Sequence, residues 1–158
     1  MKEIYYKQFK NFEEFYDEAL SHIANIATKI KDSSDRDKIT YIRNMLNTTI
    51  LRSYFSVCNL SEEIKLILST NTYELNFSMD NMIKNIIIHP EVRKEDYAKI
   101  PSIVNCPSKF YKSKSGYDVI LFRAEEKYYK LVIKTTKNKE ENFVKSLHFL
   151  NKERYYKY

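Results

Sequence analysis

Residues 117–150, YDVILFRAEEKYYKLVIKTTKNKEENFVKSLHFL, decide the fold. The stretch alternates runs of β-branched and aromatic residues with turn-forming segments, a pattern typical of short strands. A further run of the same kind precedes it. The chain's only glycine, Gly116, lies where the first hairpin has to reverse, and glycine tolerates the positive φ that such turns need. We therefore predict an antiparallel meander. Its four strands are centred on residues 110–111, 119–122, 129–133 and 143–147.

The residues before this region carry helical periodicity instead. Apolar side chains recur at steps of three and four from Asn11 to Lys31, and again from Ile39 to Tyr54. The polar cluster 32–35 between the two runs can cap the second helix. These patterns predict an antiparallel helical hairpin. A shorter helix is predicted from Ser61 to about Ser69.

A strand and a helix are predicted between the hairpin and the meander. Tyr73, Leu75 and Phe77 alternate with polar residues, which indicates a half-buried strand. The helix that follows, capped by Ser78, must end at or before His89, because Pro90 disfavours the α conformation of the residue before it.

The remaining segments complete an α+β order of elements. Residues 93–105 form a helical piece interrupted at Pro101, and residues 154–158 form a frayed tail or an extension of the last strand. We expect two regions, a helical one over residues 1–70 and an α+β domain over residues 71–158.

Composition and charge narrow the functional classes. The hydrophobic and aromatic shares, 43% and 15%, are typical of a globular chain. Residues 1–83 carry 10 Lys+Arg against 12 Asp+Glu, whereas residues 84–158 carry 17 against 9. A basic second half suits a polyanion such as nucleic acid, although an AT-biased genome would produce a similar composition.

No signal peptide or membrane span is indicated, so we expect a cytoplasmic protein with no membrane partner. Cys58 and Cys106 lack the spacing of a zinc site or a disulfide framework. No DxD, HExxH, Gly-rich phosphate loop or GxSxG pattern occurs either. We therefore expect neither a metal nor a cofactor.

The three histidines differ in context. His22 lies among helical apolar residues, and we interpret it as structural or exposed. His89 is held at a helix boundary and opens the basic half, near Arg93 and Lys94, so it suits proton transfer; the alternative is a helix C-cap that interacts with the helix dipole. His148 lies in the last strand, where it either lines a cleft or faces water.

Strand periodicity places several polar side chains on shared faces. Lys130 and Lys134 alternate with Leu131 and Ile133, so both lysines project from one face of their strand. Ser146 and His148 share a face of the last strand in the same way. A lysine beside a phosphate could stabilise developing negative charge without a metal. The alternative is an ordinary solvated face.

From Tyr73 to about Leu150 the chain resembles the phage-associated barnase/EndoU/colicin/RelE-like nuclease families of mobile-element and toxin proteins. The motifs that carry the resemblance are LNFSMDNMIKNIIIHPEV, EDYAKIPSIVNCP, DVILFRA, YYKLVIKTT and NFVKSLHFLN. The resemblance implies a small antiparallel sheet with helices on one face. The residues before Tyr73 have no counterpart in it.

The resemblance also implies a reaction and a site. Such proteins cleave RNA without metal, through attack of the ribose 2′-hydroxyl that leaves a 2′,3′-cyclic phosphate. The implied catalytic residues are His89 for proton transfer, Lys134 for transition-state charge and Ser146 for hydrogen bonding to a phosphate oxygen. The expected substrate-binding residues are Lys84, Arg93, Lys94, Lys130 and His148.

Two other classes remain open. A non-catalytic inhibitor could grip RNA or a ribonucleoprotein through its lysines and tyrosines, including Tyr128, Tyr129, Tyr155 and Tyr156. A structural virion protein would need heptads or repeats, which the sequence lacks. In the leading hypothesis, the N-terminal helices dock a protein partner or an antitoxin. The oligomeric state is not indicated.

Overall fold

The computed structural model describes residues 6–27 and 33–158. Within these residues, seven strands form one mixed sheet with the order β1-β2-β3-β7-β6-β5-β4. The strands are β1 (Gln8–Phe9), β2 (Tyr54–Asn59), β3 (Glu74–Ser78), β4 (Lys109–Lys112), β5 (Asp118–Ala124), β6 (Tyr128–Thr135) and β7 (Asn142–Leu150). The helices are α1 (Phe12–Ala27), α2 (Asp35–Met45), α3 (Thr48–Arg52), α4 (Glu62–Leu68), α5 (Met79–Ile88), α6 (Lys94–Tyr97), α7 (Ile100–Asn105) and α8 (Lys152–Lys157). The predicted α+β class is confirmed.

The chain divides into two compact units, neither of which is continuous in sequence. The first unit comprises Met1–Ser56 and Phe77–Pro90, and the second comprises Val57–Asn76 and Glu91–Tyr158. Two of the three borders therefore fall inside β2 and β3, and the third falls between α5 and α6. The division at residues 70 and 71 stays a prediction from sequence.

The first unit has an aromatic core. Phe15 is fully buried, with its ring 5.3 Å from that of Phe9, 6.1 Å from that of Phe55 and 6.2 Å from that of Phe77. Helices α1 and α2 both contact α5. The first predicted helix is confirmed over residues 12–27, and residues 28–32 of that prediction lie outside the described part of the chain.

The second predicted helix is shorter than expected. It ends at Met45, because the amide oxygen of Asn47 accepts a hydrogen bond from the Ile50 N–H at 2.9 Å and starts the separate helix α3. Tyr54, predicted to be helical, begins β2, which pairs in parallel with β1. The region over residues 1–70 that was predicted to be helical therefore contains the strands β1 and β2 as well as helices.

Helix α5 begins and ends where the sequence predicts. The Ser78 hydroxyl accepts a hydrogen bond from the Asn81 N–H at 3.2 Å. His89 is the C-cap, with its backbone N–H 2.8 Å from the Asn85 carbonyl. Pro90 follows, so the helix stops before the residue that proline restricts.

The second unit contains the predicted meander. Strands β4, β5, β6 and β7 pair antiparallel in succession. The centre of one face of the meander is buried, and helices α4 and α7 contact β5. The fully buried residues on that face include Val119, Leu121, Leu131, Ile133 and Leu147.

Two details of the second unit correct the sequence analysis. Pro101 does not interrupt a helix; it lies in the first turn of α7, where its missing N–H costs nothing, and the break falls at Ala98 and Lys99. Residues 152–157 form helix α8, neither a frayed tail nor a strand. Tyr155 of α8 packs on Phe122, on the face opposite Leu121, so helices cover both faces of the meander rather than one.

Candidate functional site

Four of the predicted site residues lie on one face of the β6–β7 ladder. The register places Lys130 directly opposite His148 and Val132 directly opposite Ser146. Lys134 follows two residues after Val132 and therefore lies on the same face. This face is open at its Lys134 end, where Lys134 is exposed and Ser146 is half-buried. Towards the other end His148 is half-buried with its Nδ1 atom buried, and Phe122 and Leu150 are buried against Tyr155 of α8. The predicted alternation along both strands is confirmed.

A β-bulge interrupts the ladder next to these residues. Val132 pairs with Ser146 and Ile133 pairs with Val144, which leaves Lys145 without an opposite residue on β6. A bulge re-aims the side chains around it and is common beside active sites. The Lys145 ammonium is 3.2 Å from Oδ2 of Asp118 on β5, and Asp118 lies opposite Lys134.

A surface hollow of about 360 Å³ begins at this point. Three lysines line it, Lys134, Lys137 and Lys145, against a single acidic residue, Asp118. The lining therefore carries two positive charges in excess. Hydroxyl-bearing residues complete it, among them Ser115, Tyr117 and Thr136. The hollow lies entirely within the second unit.

The β6–β7 turn forms one wall of the hollow and is anchored at several points. Lys139, at φ 64°, donates from Nζ to the Leu68 carbonyl at 3.0 Å, and its ammonium lies 4.5 Å from the centre of the Tyr117 ring. The Thr136 hydroxyl contacts Oδ1 of Asn138 at 2.6 Å. These contacts fix the backbone on either side of Lys137.

Helix α8 closes the opposite end of the same face. Lys130 donates from Nζ to the Tyr158 hydroxyl at 3.2 Å, and the Tyr158 ring packs 4.9 Å from that of Phe122. The hydrogen bond from Lys130 is the main reason that the pKa of Tyr158 is below its usual value. Lys130 is therefore held in place by an aromatic hydroxyl.

The other predicted residues lie elsewhere. His89 and Lys84 belong to the first unit, where both are half-buried on or next to α5. Arg93 and Lys94 belong to the second unit and open α6, and neither lines the hollow. The catalytic roles predicted for His89, Lys134 and Ser146 stay predictions.

Sequence reasoning missed the three other charged residues of the hollow, Lys137, Lys145 and Asp118. The bulge places Lys145 at the hollow, and no local sequence pattern predicts that bulge. Asp118 reaches the hollow because β5 pairs with β6. Lys137 lies in the turn between β6 and β7, where the alternation of a strand assigns no face to a side chain. Four lysines within the twelve residues 134–145 of a strand-turn-strand unit were the signal that could have found the two lysines.

In the part of the chain that the structure describes, no three His, Cys, Asp or Glu side chains lie close enough to hold a metal ion. No helix within residues 6–27 and 33–158 is long and apolar enough to span a bilayer.

No family model, curated protein or solved structure matches the chain.

Proposed function

We propose that this protein is a metal-independent endoribonuclease of the barnase/EndoU/colicin/RelE-like kind, encoded by a phage or mobile element and acting as a toxin in the host cytoplasm. One observation carries the proposal: Lys130, Lys134, Ser146 and His148 share one face of the β6–β7 ladder. An imidazole, a hydroxyl and ammonium groups can together supply the proton transfer and the charge stabilisation that RNA cleavage needs when no metal takes part.

We propose a more specific fold than the α+β class. We propose that the β4–β7 meander, with α4 and α7 in contact with β5, corresponds to the barnase/RelE-like sheet and its helices. We also propose that α1 and α2, which contact each other, form the hairpin predicted from sequence. In the toxin hypothesis, these N-terminal helices bind an antitoxin or another protein partner.

The proposed reaction has one substrate and needs no co-reactant. The ribose 2′-oxygen attacks the adjacent phosphorus, and its proton passes to a base. The bond from phosphorus to the 5′-oxygen breaks, and that oxygen takes a proton from an acid. The products are a 2′,3′-cyclic phosphate and a free 5′-hydroxyl.

The proposed roles follow from the side chains. His148 is half-buried opposite Lys130, and a placed imidazole can accept a proton and then return it. Lys134 would balance the charge that grows on the phosphate oxygens, and the Ser146 hydroxyl would donate to one of them. His89 remains a second proposed proton-transfer residue, and the experiment below compares it with His148.

A second candidate is RNA binding without cleavage. It is favoured by the exposed tyrosine of α8: Tyr156 is 64% exposed and its ring lies 6.2 Å from that of Tyr128. Such rings can stack on unpaired bases. Tyr129 and Tyr155, which the sequence analysis also considered for stacking, are only 4% and 5% exposed, so they cannot serve.

The deciding experiment is cleavage of a labelled single-stranded RNA in EDTA. We expect a product that ends in a 2′,3′-cyclic phosphate, and no product when the attacking 2′-hydroxyl is replaced by 2′-O-methyl. His148→Ala and Lys134→Ala should each reduce the rate about 100-fold or more, whereas Lys152→Ala on exposed α8 should not. Cleavage that survives both of the first two substitutions would contradict the proposed site.

His89→Ala separates the two histidines. If only this substitution abolishes cleavage, the first unit supplies the proton-transfer group and the role proposed for His148 is wrong. If the wild-type protein binds the RNA but never cleaves it, the binding function replaces the ribonuclease proposal.

A further inference from the structure

We infer that the hollow lined by Lys134, Lys137 and Lys145 binds the phosphodiester that flanks the scissile one, so that the substrate is single-stranded RNA longer than a dinucleotide. This inference rests on the proposed function and assigns a second phosphate subsite beside the proposed catalytic face. Lys134 belongs to both, because it ends the row of polar residues on β6 and also lines the hollow.

The charges of the hollow indicate an anion. Two of its lysines, Lys134 and Lys137, make no hydrogen bond or ion pair through their side chains with any described residue. The third, Lys145, is bound to Asp118, whose side chain is 19% exposed. Asp118 therefore pairs with Lys145 and leaves Lys134 and Lys137 without a counterion among the described residues. A bound phosphate would supply that counterion.

The size of the hollow indicates one nucleotide rather than a helix. Its volume of about 360 Å³ is at the small end of the range for small-molecule sites. Tyr117 lines it as well, and an aromatic ring beside a phosphate site is a common partner for an unstacked base. Both features favour a flexible single strand, whose nucleotides can turn into a concave site.

The geometry of the sheet indicates in which direction a bound RNA can extend. Lys130, Val132 and Lys134 succeed one another on one face of β6, and each step of two residues advances roughly 7 Å. Helix α8 covers the Lys130 end of this row, through Tyr158. The Lys134 end continues into the hollow, so a bound RNA can extend past the catalytic groups at that end.

The first test measures binding without any cleavage. The probe is a fluorescent 2′-O-methyl RNA of eight nucleotides, which lacks the attacking hydroxyl, and the readout is its affinity for the full chain at several salt concentrations. Lys137→Ala and Lys145→Ala should each weaken binding about three- to tenfold and reduce the salt slope by about 0.7, the value for one phosphate contact on a single strand. Lys152→Ala removes the same charge outside the hollow and should change affinity less than twofold.

Asp118→Asn provides a gain of affinity that a folding defect cannot imitate. It removes the carboxylate that competes for Lys145, so binding should become about threefold tighter. Binding that is unchanged or weaker in Asp118→Asn, or equally weak in Lys137→Ala, Lys145→Ala and Lys152→Ala, would overturn the inference.

The second test uses substrate length. A dinucleotide contains only the scissile phosphate, so Lys137→Ala and Lys145→Ala should leave its kcat/KM unchanged while lowering that of an octanucleotide about three- to tenfold. An equal loss on both substrates would show that these lysines do not act on a flanking phosphate. If no RNA is cleaved but the binding results hold, the ribonuclease proposal fails and the phosphate subsite stands.

Discussion

The hydroxyl of Tyr129 donates a hydrogen bond to Oδ1 of Asp96 at 2.9 Å, in the interior of the second unit. Asp96 is only 5% exposed and also accepts from the Arg93 N–H at 2.8 Å, while Lys127 lies 3.3 Å away. Helix α6 is thus joined to the start of β6 by one buried carboxylate. Burial and the bond to Asp96 both raise the pKa of Tyr129, so this phenol stays protonated and remains a donor.

Asp96→Ala should destabilise the protein by about 2–4 kcal/mol, because it leaves the buried Tyr129 hydroxyl and the Arg93 N–H without their acceptor. Tyr129→Phe should cost less, about 1 kcal/mol, since it removes one hydrogen bond and keeps the packed ring. Urea unfolding of each variant measures both values. Equal losses for the two would show that Asp96 acts only through Tyr129.

The Asp96 carboxylate should make the free energy of unfolding depend on pH. Burial alone would raise the pKa of Asp96, but hydrogen bonds from Arg93, Tyr129 and Lys127 outweigh it and hold the pKa below the usual value. A carboxylate with a lowered folded-state pKa stabilises the protein above its unfolded pKa of about 4, and that contribution is lost as the pH falls through the folded value. The difference in free energy of unfolding between wild type and Asp96→Asn should therefore be constant near neutral pH and shrink below about pH 4. A difference that grows on acidification would contradict this sign.

Gly116→Ala should destabilise the β4–β5 hairpin through the backbone alone. Gly116 has φ +80°, and a Cβ at this position would meet nothing closer than Cε of Lys112 at 3.7 Å, an ordinary contact. The expected cost is about 1 kcal/mol in urea unfolding, and Gly116→Asn should cost less, because asparagine tolerates this region better than alanine. Lys114→Ala, in the same loop, is the control. An equal cost for the Ala and Asn variants would point to lost space rather than backbone strain.

Tyr158 should ionise at a lower pH than an ordinary tyrosine. Lys130 hydrogen-bonds to its hydroxyl and favours the charged phenolate, which lowers the pKa. In an absorbance titration of tyrosine, Tyr158→Phe should remove the low-pH part of the curve, and Lys130→Met should move that part to higher pH. A titration that is identical in wild type and Lys130→Met would contradict the pairing.

The sequence was most informative where a few neighbouring residues determine the structure. Ser78 and Pro90 bound α5 through local hydrogen bonding and sterics, and the alternation along β6 and β7 identified the face that carries Lys134 and Ser146. Tyr54 was misread because it continues the four-residue spacing of Ile50, whereas its strand is stabilised by pairing with the distant Gln8. Local periodicity cannot report such a partner.

Helix α8 and the hollow could not be predicted for a similar reason. A helix of six residues is not stable by itself, and α8 is held by Lys109, whose ammonium donates to the Tyr155 carbonyl at 2.6 Å and to the Tyr158 carbonyl at 3.0 Å. The hollow depends on a bulge that places Lys145 beside Asp118, two residues 27 apart in sequence. Both features come from contacts between distant segments.

Lys134→Ala should lower kcat/KM for an RNA octanucleotide more than any other lysine substitution in the second unit, because Lys134 is the one lysine placed on both the catalytic face and the hollow. We expect a loss of about 100- to 1,000-fold, the range for removing one group that stabilises transition-state charge. Lys134→Arg should recover part of kcat, since it restores the charge with a different geometry. For the dinucleotide, Lys134→Ala should still lose kcat, unlike Lys137→Ala. Steady-state kinetics on the two substrates provides the test. A Lys134→Ala variant with full kcat and a raised KM would confine this lysine to binding, and the role proposed for it in the transition state would then be wrong.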